Sequence, residues 1–187
     1  MRVDVPVLLR DATLSDAAAI GDVHAEAWQV AYRDLFEPQW LGRFVAKRRT
    51  QWASRMATPE FDRATMLVAV RHDRVCAFAY FGPHGLTAGK HTVVPSVWPR
   101  PGEGEIYGFY AHPSVWGTGV APTLMDGAWD LLAEAGYRRV RLWTLAGANR
   151  ARRFYSRFGF EESGATHERD FGDGRPVLEL EYVRSVR

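Results

Sequence analysis

The segment EIYGFYAHPSVWGTGVAPTLM, residues 105–125, constrains this chain more than any other: an apolar strand pattern runs directly into a glycine turn and then into an amphipathic helix. Such a junction presents the free N–H groups and the positive dipole end of a helix N-terminus to one point in space. That geometry suits a phosphate. Gly117 and Gly119 have no Cβ to obstruct an anion, and Pro122 falls in the first turn, where its missing N–H costs little. A pyrophosphate is the expected guest. GTGVAP has neither the G-x-G-x-x-G of dinucleotide sites nor the G-K-[ST] ending of a P-loop, and the turn holds no metal-binding carboxylate. Taken alone, the turn reads equally well as a bland start to a helix.

The flanking patterns surround this junction with further strands and helices. Val5 to Arg10 reads as a strand, and Thr13-Leu-Ser-Asp16 as a capping box opening a helix with Ile20, Val23, Ala27, Trp28 and Ala31 on one face. Trp40, Leu41, Phe44, Val45, Trp52 and Met56 recur at helical spacing and predict a second helix. Met66 to Arg71 and Val75 to Phe81 read as a hairpin closed by His72-Asp73-Arg74. Residues 83–104 hold several Gly and Pro with His84, His91 and Trp98, and a loop of that length is usually functional or mobile.

Beyond the strand from Glu105 to Ala111, a helix carries Val120, Leu124, Ala128, Leu131 and Ala135 on one face and ends at Gly136. A strand from Arg139 to Leu145, a basic-faced helix from Arg150 to Phe158 and two closing strands around Gly172-Asp-Gly174 follow. The order is β, α, α, β, β, β, α, β, α, β, β, with no internal repeat and no linker.

Composition narrows the function. The chain has 187 residues, 47% hydrophobic and 25% charged, which fits one domain that folds in water. Its net charge of +2 comes from scattered residues, so no basic face for nucleic acid is expected. The N-terminus is too charged for a signal peptide and no run of about 18 apolar residues exists, which excludes a membrane partner and predicts a cytoplasmic protein. Cys76, the sole cysteine, lies in an apolar run and reads as a buried thiol. The six histidines show no metal-ligand spacing, so no metal is expected.

HPSVWGTGVAPTLM resembles motif A of the GNAT superfamily of N-acetyltransferases, whose [QR]-x-x-G-x-[GA] pattern falls on Trp116-x-x-Gly119-x-Ala121. ARRFYSRFGF resembles motif B, and the opening LLRDATLSDAAAIGDVH is also similar, so the resemblance spans essentially the whole chain. It implies one α/β (α+β) domain over residues 1–187, with a mixed, mostly antiparallel sheet flanked by helices on both faces. It further implies transfer of an acetyl group from acetyl-CoA to a primary amine of a small molecule or peptide by direct attack. Phe109, Tyr110 and Ala111 would hold pantetheine and thioester as an added strand, and Gly117, Thr118, Gly119, Val120, Ala121 and Pro122 the pyrophosphate. Two positions depart from the pattern. Trp116 replaces the usual Gln or Arg, and Ala148 stands where many relatives carry Asn, leaving Asn149 as the nearest contact for CoA.

Acetyl transfer from a thioester needs a neutral amine, stabilisation of developing oxyanion charge, and a proton for the departing thiolate. By resemblance Tyr155 is the acid that serves the sulfur. Glu105 opens the CoA strand where some relatives carry the general base, and burial there would raise its pKa toward neutrality. Packed-core and solvated readings of these two residues remain open. A backbone N–H near Phe109 or Ala111 is the natural oxyanion donor. His112 follows the strand on the phosphate side, away from the role of base, and His24 reads as a satisfied structural histidine.

The acceptor site is expected where the first two helices and the long loop meet the split in the sheet. Trp28, Tyr32 and Trp40 would wall it, although aromatics at helical spacing are more often core. The modest charge argues against a polycationic acceptor. One rival keeps the fold as a non-catalytic acyl-CoA sensor. Another, a Rossmann-type nucleotide module, is disfavoured by the terminal hairpin and the missing βαβ alternation. GNAT relatives are often dimers, so the resemblance leaves a homodimer open.

Overall fold

Seven strands, numbered in chain order, make the sheet of the computed structural model: β1 (Leu8–Asp11), β2 (Thr65–Arg71), β3 (Arg74–Pro83), β4 (Glu103–Ala111), β5 (Arg139–Leu145), β6 (Glu161–Arg169) and β7 (Val177–Ser185). Their order is β1-β2-β3-β4-β5-β7-β6. The β1–β2, β2–β3, β5–β7 and β6–β7 ladders are antiparallel and β4–β5 is parallel, so the sheet is mixed and mostly antiparallel, as the sequence predicts. The described residues are 6–86 and 101–186; His91 and Trp98 lie outside them. They group into two units interleaved along the chain, one within Met1–Phe81 and Gly108–Leu131, the other within Gly82–Tyr107 and Leu132–Arg187.

In the first unit, β2 and β3 join through His72 and Asp73, both at positive φ (52° and 57°), the two-residue turn whose twist matches that of the strands it connects. Val68, Ala69, Ala77, Phe78 and Ala79 are fully buried in this hairpin. The first strand starts at Leu8, later than the apolar pattern suggests, and pairs with β2 from Leu8↔Val70 to Asp11↔Leu67. After it the capping box forms as predicted. Asp16 accepts from the Thr13 N–H at 2.8 Å and from both Arg10 nitrogens at 2.7 and 2.8 Å, and the guanidinium holds its carboxyl far below the usual range. A 3-10 turn, Leu14–Asp16, comes between this box and helix α1 (Ala17–Ala31).

The predicted second helix is two. α2 (Pro38–Thr50) and α3 (Trp52–Met56) are separated at Gln51, which keeps right-handed dihedrals (φ −77°, ψ −16°) while the ladder breaks for one residue. Trp52 thereby turns inward and is 2% exposed. Glu37 caps α2, accepting from the N–H groups of Gln39 and Trp40, with Pro38 at its first position. α1 and α2 cross closely, because a Cβ on Gly21 would stand 2.0 Å from the Arg49 carbonyl oxygen. In α4 (Val120–Glu134) the buried stripe is Val120, Leu124, Met125, Ala128 and Leu132; Leu132 takes the place expected of Leu131, and Ala135 is exposed beyond the helix end.

The second unit sets α5 (Asn149–Arg157) with the β5–β7–β6 strands. Val140, Leu142, Tyr182 and Phe160 are buried to 2% exposure or less. Arg141 lies on the opposite pleat of β5. Arg141 bridges Glu103 and Glu181, the latter at 2.6 Å, and the Ser163 hydroxyl donates to Glu181 at 2.6 Å. Further along, His167 meets Glu179 at 2.8 Å, and its ring lies 4.3 Å from that of Trp143.

Candidate active site

The strand-to-helix junction is braced from within. His112 donates its N–H to the Cys76 carbonyl at 2.8 Å, joining the junction to β3. Its Nδ1 caps the 3-10 turn Pro113–Val115 by accepting from the Ser114 N–H at 3.2 Å, and lies 2.7 Å from the Ser114 hydroxyl. A ring nitrogen so engaged is a turn brace, which accounts for a histidine at this position without catalysis. Trp116 donates its indole N–H to the Ala111 carbonyl at 2.8 Å. The Thr118 hydroxyl donates to the Val115 carbonyl at 2.8 Å.

Gly117 and Gly119 have φ of 77° and 89°, a region costly for other residues, and an added Cβ at either would meet nothing within 4 Å. The turn is therefore open outward. The first amide bonded back within α4 is that of Thr123, to Gly119, so the N–H groups of Val120 and Ala121 precede the helical ladder, and Pro122 has none to satisfy. Such open amides at a helix start fit the phosphates of a ligand. Trp116, the departure from the pattern, closes the turn onto the strand end where a Gln or Arg would extend a polar group.

On β4, Phe109 and Tyr110 are half-buried and Ala111 is buried. The β4–β5 ladder runs from Glu103↔Arg139 to Ile106↔Leu142, so all three lie past its end. The Tyr110 side chain packs into the aromatic layers. Its ring lies 4.4 Å from that of His24 and 5.5 Å from that of Phe78, and its hydroxyl accepts from the Trp28 indole at 3.3 Å. What Tyr110 offers along the strand is its backbone.

Trp28, Tyr32 and Trp40 do come together, in a layer larger than predicted. Trp28 is 4% exposed and neighbours Tyr32 at 4.6 Å and Phe44 at 4.5 Å, while Trp40 stacks on Phe44 at 4.7 Å and on Phe36 at 4.9 Å. Tyr32 and Trp40 are half-buried and Trp28 is core. His24 links this layer to a second one. Its Nδ1 accepts from the Trp52 indole at 3.1 Å, and the Trp52 ring continues to Phe78 at 5.2 Å. Burial first, then the fields of Arg48 and Arg55, hold the imidazole well below its ordinary pKa. His24 is thus neutral, and its proton is on Nε2. The sequence names His24 as structural but misses the two arginines, although Phe44, Arg48, Trp52 and Arg55 recur at three- and four-residue spacing.

In the second unit, Glu105 is half-buried and its Oε2 accepts from the Gly85 N–H at 3.2 Å. Burial raises its carboxyl above the ordinary value and Glu181 adds to the rise, against the Gly85 amide and Arg141. Tyr155, on α5, is 7% exposed, with its ring 6.1 Å from Phe160 and 6.2 Å from Tyr182. Asn149 is exposed at the first residue of α5, and Ala148 before it is buried. Among the described residues no group of three His, Cys, Asp or Glu is arranged to hold a metal ion.

Solved structures share this architecture. The PaiA N-acetyltransferase of Thermoplasma acidophilum, solved in complex with coenzyme A, superimposes with a TM-score of 0.72 over 97% of this chain and 99% of that one, at 14% identity. A ribosomal-protein-alanine N-acetyltransferase from Brucella melitensis matches with a TM-score of 0.63 over 96% and 99%, at 21% identity. These likenesses establish the fold. The sequence model of the acetyltransferase (GNAT) family matches residues 25–160, and the chain belongs to that family. A curated relative, the mycothiol acetyltransferase of Brachybacterium faecium, is 33% identical over 141 residues, which are 75% of this chain but only 38% of the relative.

Proposed function

We propose that this protein moves the acetyl group of acetyl-CoA to a primary amine by direct attack. The observation that carries the reading is the braced, outward-open turn at Gly117 and Gly119, opening α4 at the end of β4 in a chain of the GNAT family. Backbone amides of residues 117–121 would take the pyrophosphate, Asn149 would add a contact, and the backbone of Phe109, Tyr110 and Ala111 would hold the pantetheine. Glu105, its pKa raised by burial, would take a proton from the ammonium form of the acceptor. The amine nitrogen then bonds to the thioester carbon, the carbon–sulfur bond breaks as the Tyr155 phenol gives its proton to the sulfur, and the nitrogen loses its second proton, which returns through solvent to the Tyr155 phenolate. The acceptor is an amine of a small molecule or a peptide.

The test is thermal unfolding with acetyl-CoA, NAD or ATP, since a ligand that binds only the folded state stabilises it by about 2.7 kcal/mol at one hundred times Kd. For a domain of this size that raises Tm by roughly 5–10 °C. Acetyl-CoA alone should do so. Tyr155→Phe should keep the shift and lose turnover by about 10²- to 10⁴-fold, the range for one general acid. A shift with no turnover in the parent chain across a broad amine panel would identify an acyl-CoA sensor instead, and a shift with NAD or ATP alone would end the reading.

A further inference from the structure

Among the described residues Arg55 is a cation without a paired anion. Its guanidinium lies 4.9 Å from the centre of the Trp52 ring and 5.4 Å from that of Tyr80. Among the described residues no carboxylate forms an ion pair with it and no acceptor takes a hydrogen bond from its side chain. Glu60 acts on the neighbouring Tyr80. Burial is costly enough here to lower the guanidinium pKa, with the Tyr80 and Tyr110 hydroxyls as its partial compensation. The side chain is only half-buried, so a guest can reach it. Arginine presents five donors in a planar fork that fits a carboxylate with two parallel hydrogen bonds.

The surroundings limit which anion this is. The Trp52 ring beside Arg55 lies 5.6 Å from that of His24, which lies 4.4 Å from that of Tyr110 on β4, so Arg55 belongs to the β4 end of the aromatic layers. Tyr110 is on the strand proposed to hold the thioester. Arg48, 4.4 Å from the Phe44 ring and 5.7 Å from the Trp28 ring, adds a second positive field on His24. Trp28 and Phe44 lie beside Arg48 and Trp52 beside Arg55, with the His24 ring 6.4 Å from Trp28 and 5.6 Å from Trp52. A ligand of Arg55 therefore has the Trp52 and Tyr80 rings beside it.

Resting on the acetyl-transfer reading, we propose that the acceptor is an amine that also bears a carboxylate and an apolar side chain, an amino-acid-like molecule, and that Arg55 is the group that binds its carboxylate. The experiment presents amines that differ only in that group: phenylalanine against 2-phenylethylamine, and leucine against 3-methylbutylamine, each with acetyl-CoA, while CoA thiol is measured. A charge-assisted pair contributes enough for the carboxylate-bearing member to be favoured by roughly ten- to hundredfold in kcat/KM, mainly through KM. Arg55→Gln should bring that ratio close to one, and Arg55→Lys should keep part of it. A role confined to stacking on Trp52 and Tyr80 would change Tm but not the ratio. The comparison in the parent chain stands even if a variant fails to fold. Equal or better use of the plain amines, or a preference that survives Arg55→Gln, would overturn the proposal. So would an absence of turnover with both carboxylate-bearing amines in a chain that acetyl-CoA still stabilises. If acetyl-CoA gives no Tm shift, the acetyl-transfer reading has failed and the proposal falls with it.

Discussion

Glu105 shows how a single side chain is tuned by its neighbours. Burial, the largest influence, favours the neutral acid, and Glu181 works in the same direction; the Gly85 N–H and the Arg141 guanidinium work against them. The net direction is upward, so the carboxylate form required of a base appears only above the ordinary carboxylate range. kcat/KM should accordingly rise with pH through that raised value and then level off. Stability follows the opposite sign. A carboxyl whose folded pKa exceeds its unfolded one contributes stability below the unfolded value and loses it as pH rises through the folded value. Glu105→Gln should lower kcat/KM by about 10²- to 10⁴-fold near neutrality and flatten the acid limb. If the limb survives the substitution, another group is the base.

At the level of elements, the sequence shows most where one local rule decides. Two strand-like runs and the short link His72-Asp73-Arg74 mark the β2–β3 hairpin, and the capping box at Thr13 and Asp16 forms with the partners its spacing predicts. The glycine turn before α4 is likewise visible, because no other residue type tolerates φ of 77° and 89° so readily. What periodicity hides is direction and contact at a distance. It continues unbroken through Gln51, where the helix does not. Nor does it tell that Tyr110 turns to the Trp28 indole, or that the Trp116 indole reaches the Ala111 carbonyl, because each depends on a partner placed by tertiary packing. The crossing of α1 and α2 is of the same kind. Gly21 looks like a weak helix residue until its missing Cβ is set against the Arg49 carbonyl oxygen, 2.0 Å away and part of a backbone that cannot swing aside. Gly21→Ala, which would raise helix propensity in isolation, should instead cost about 1–3 kcal/mol through forced separation of the helices. That corresponds to a Tm lower by roughly 2–12 °C. A higher Tm would mean that the two helices are free to slide apart.

Across the whole molecule, two kinds of interior coexist. The first unit buries aromatic rings and leaves arginines to stack on them; the second places an ion network on one pleat of its strands, with Glu181 at 7% and Arg141 at 11% side-chain exposure. Such a network is a weak source of stability while intact and a strong liability when broken, because removing one partner strands the others in a poorly solvated place. Arg141→Met leaves Glu103 and Glu181 without the cation they share. The expected cost is about 3–5 kcal/mol. In thermal unfolding this should lower Tm by roughly 6–20 °C. Replacing Glu103 and Glu181 by leucine as well should restore most of the loss, because apolar groups of similar volume carry no desolvation cost. The same substitution reaches the chemistry. Arg141 is one of the two influences that lower the Glu105 pKa, so its removal should shift the acid limb of the rate profile to higher pH in whatever fraction remains folded. A variant that melts like its parent and keeps the same limb would show that this cation matters neither to the fold nor to the base.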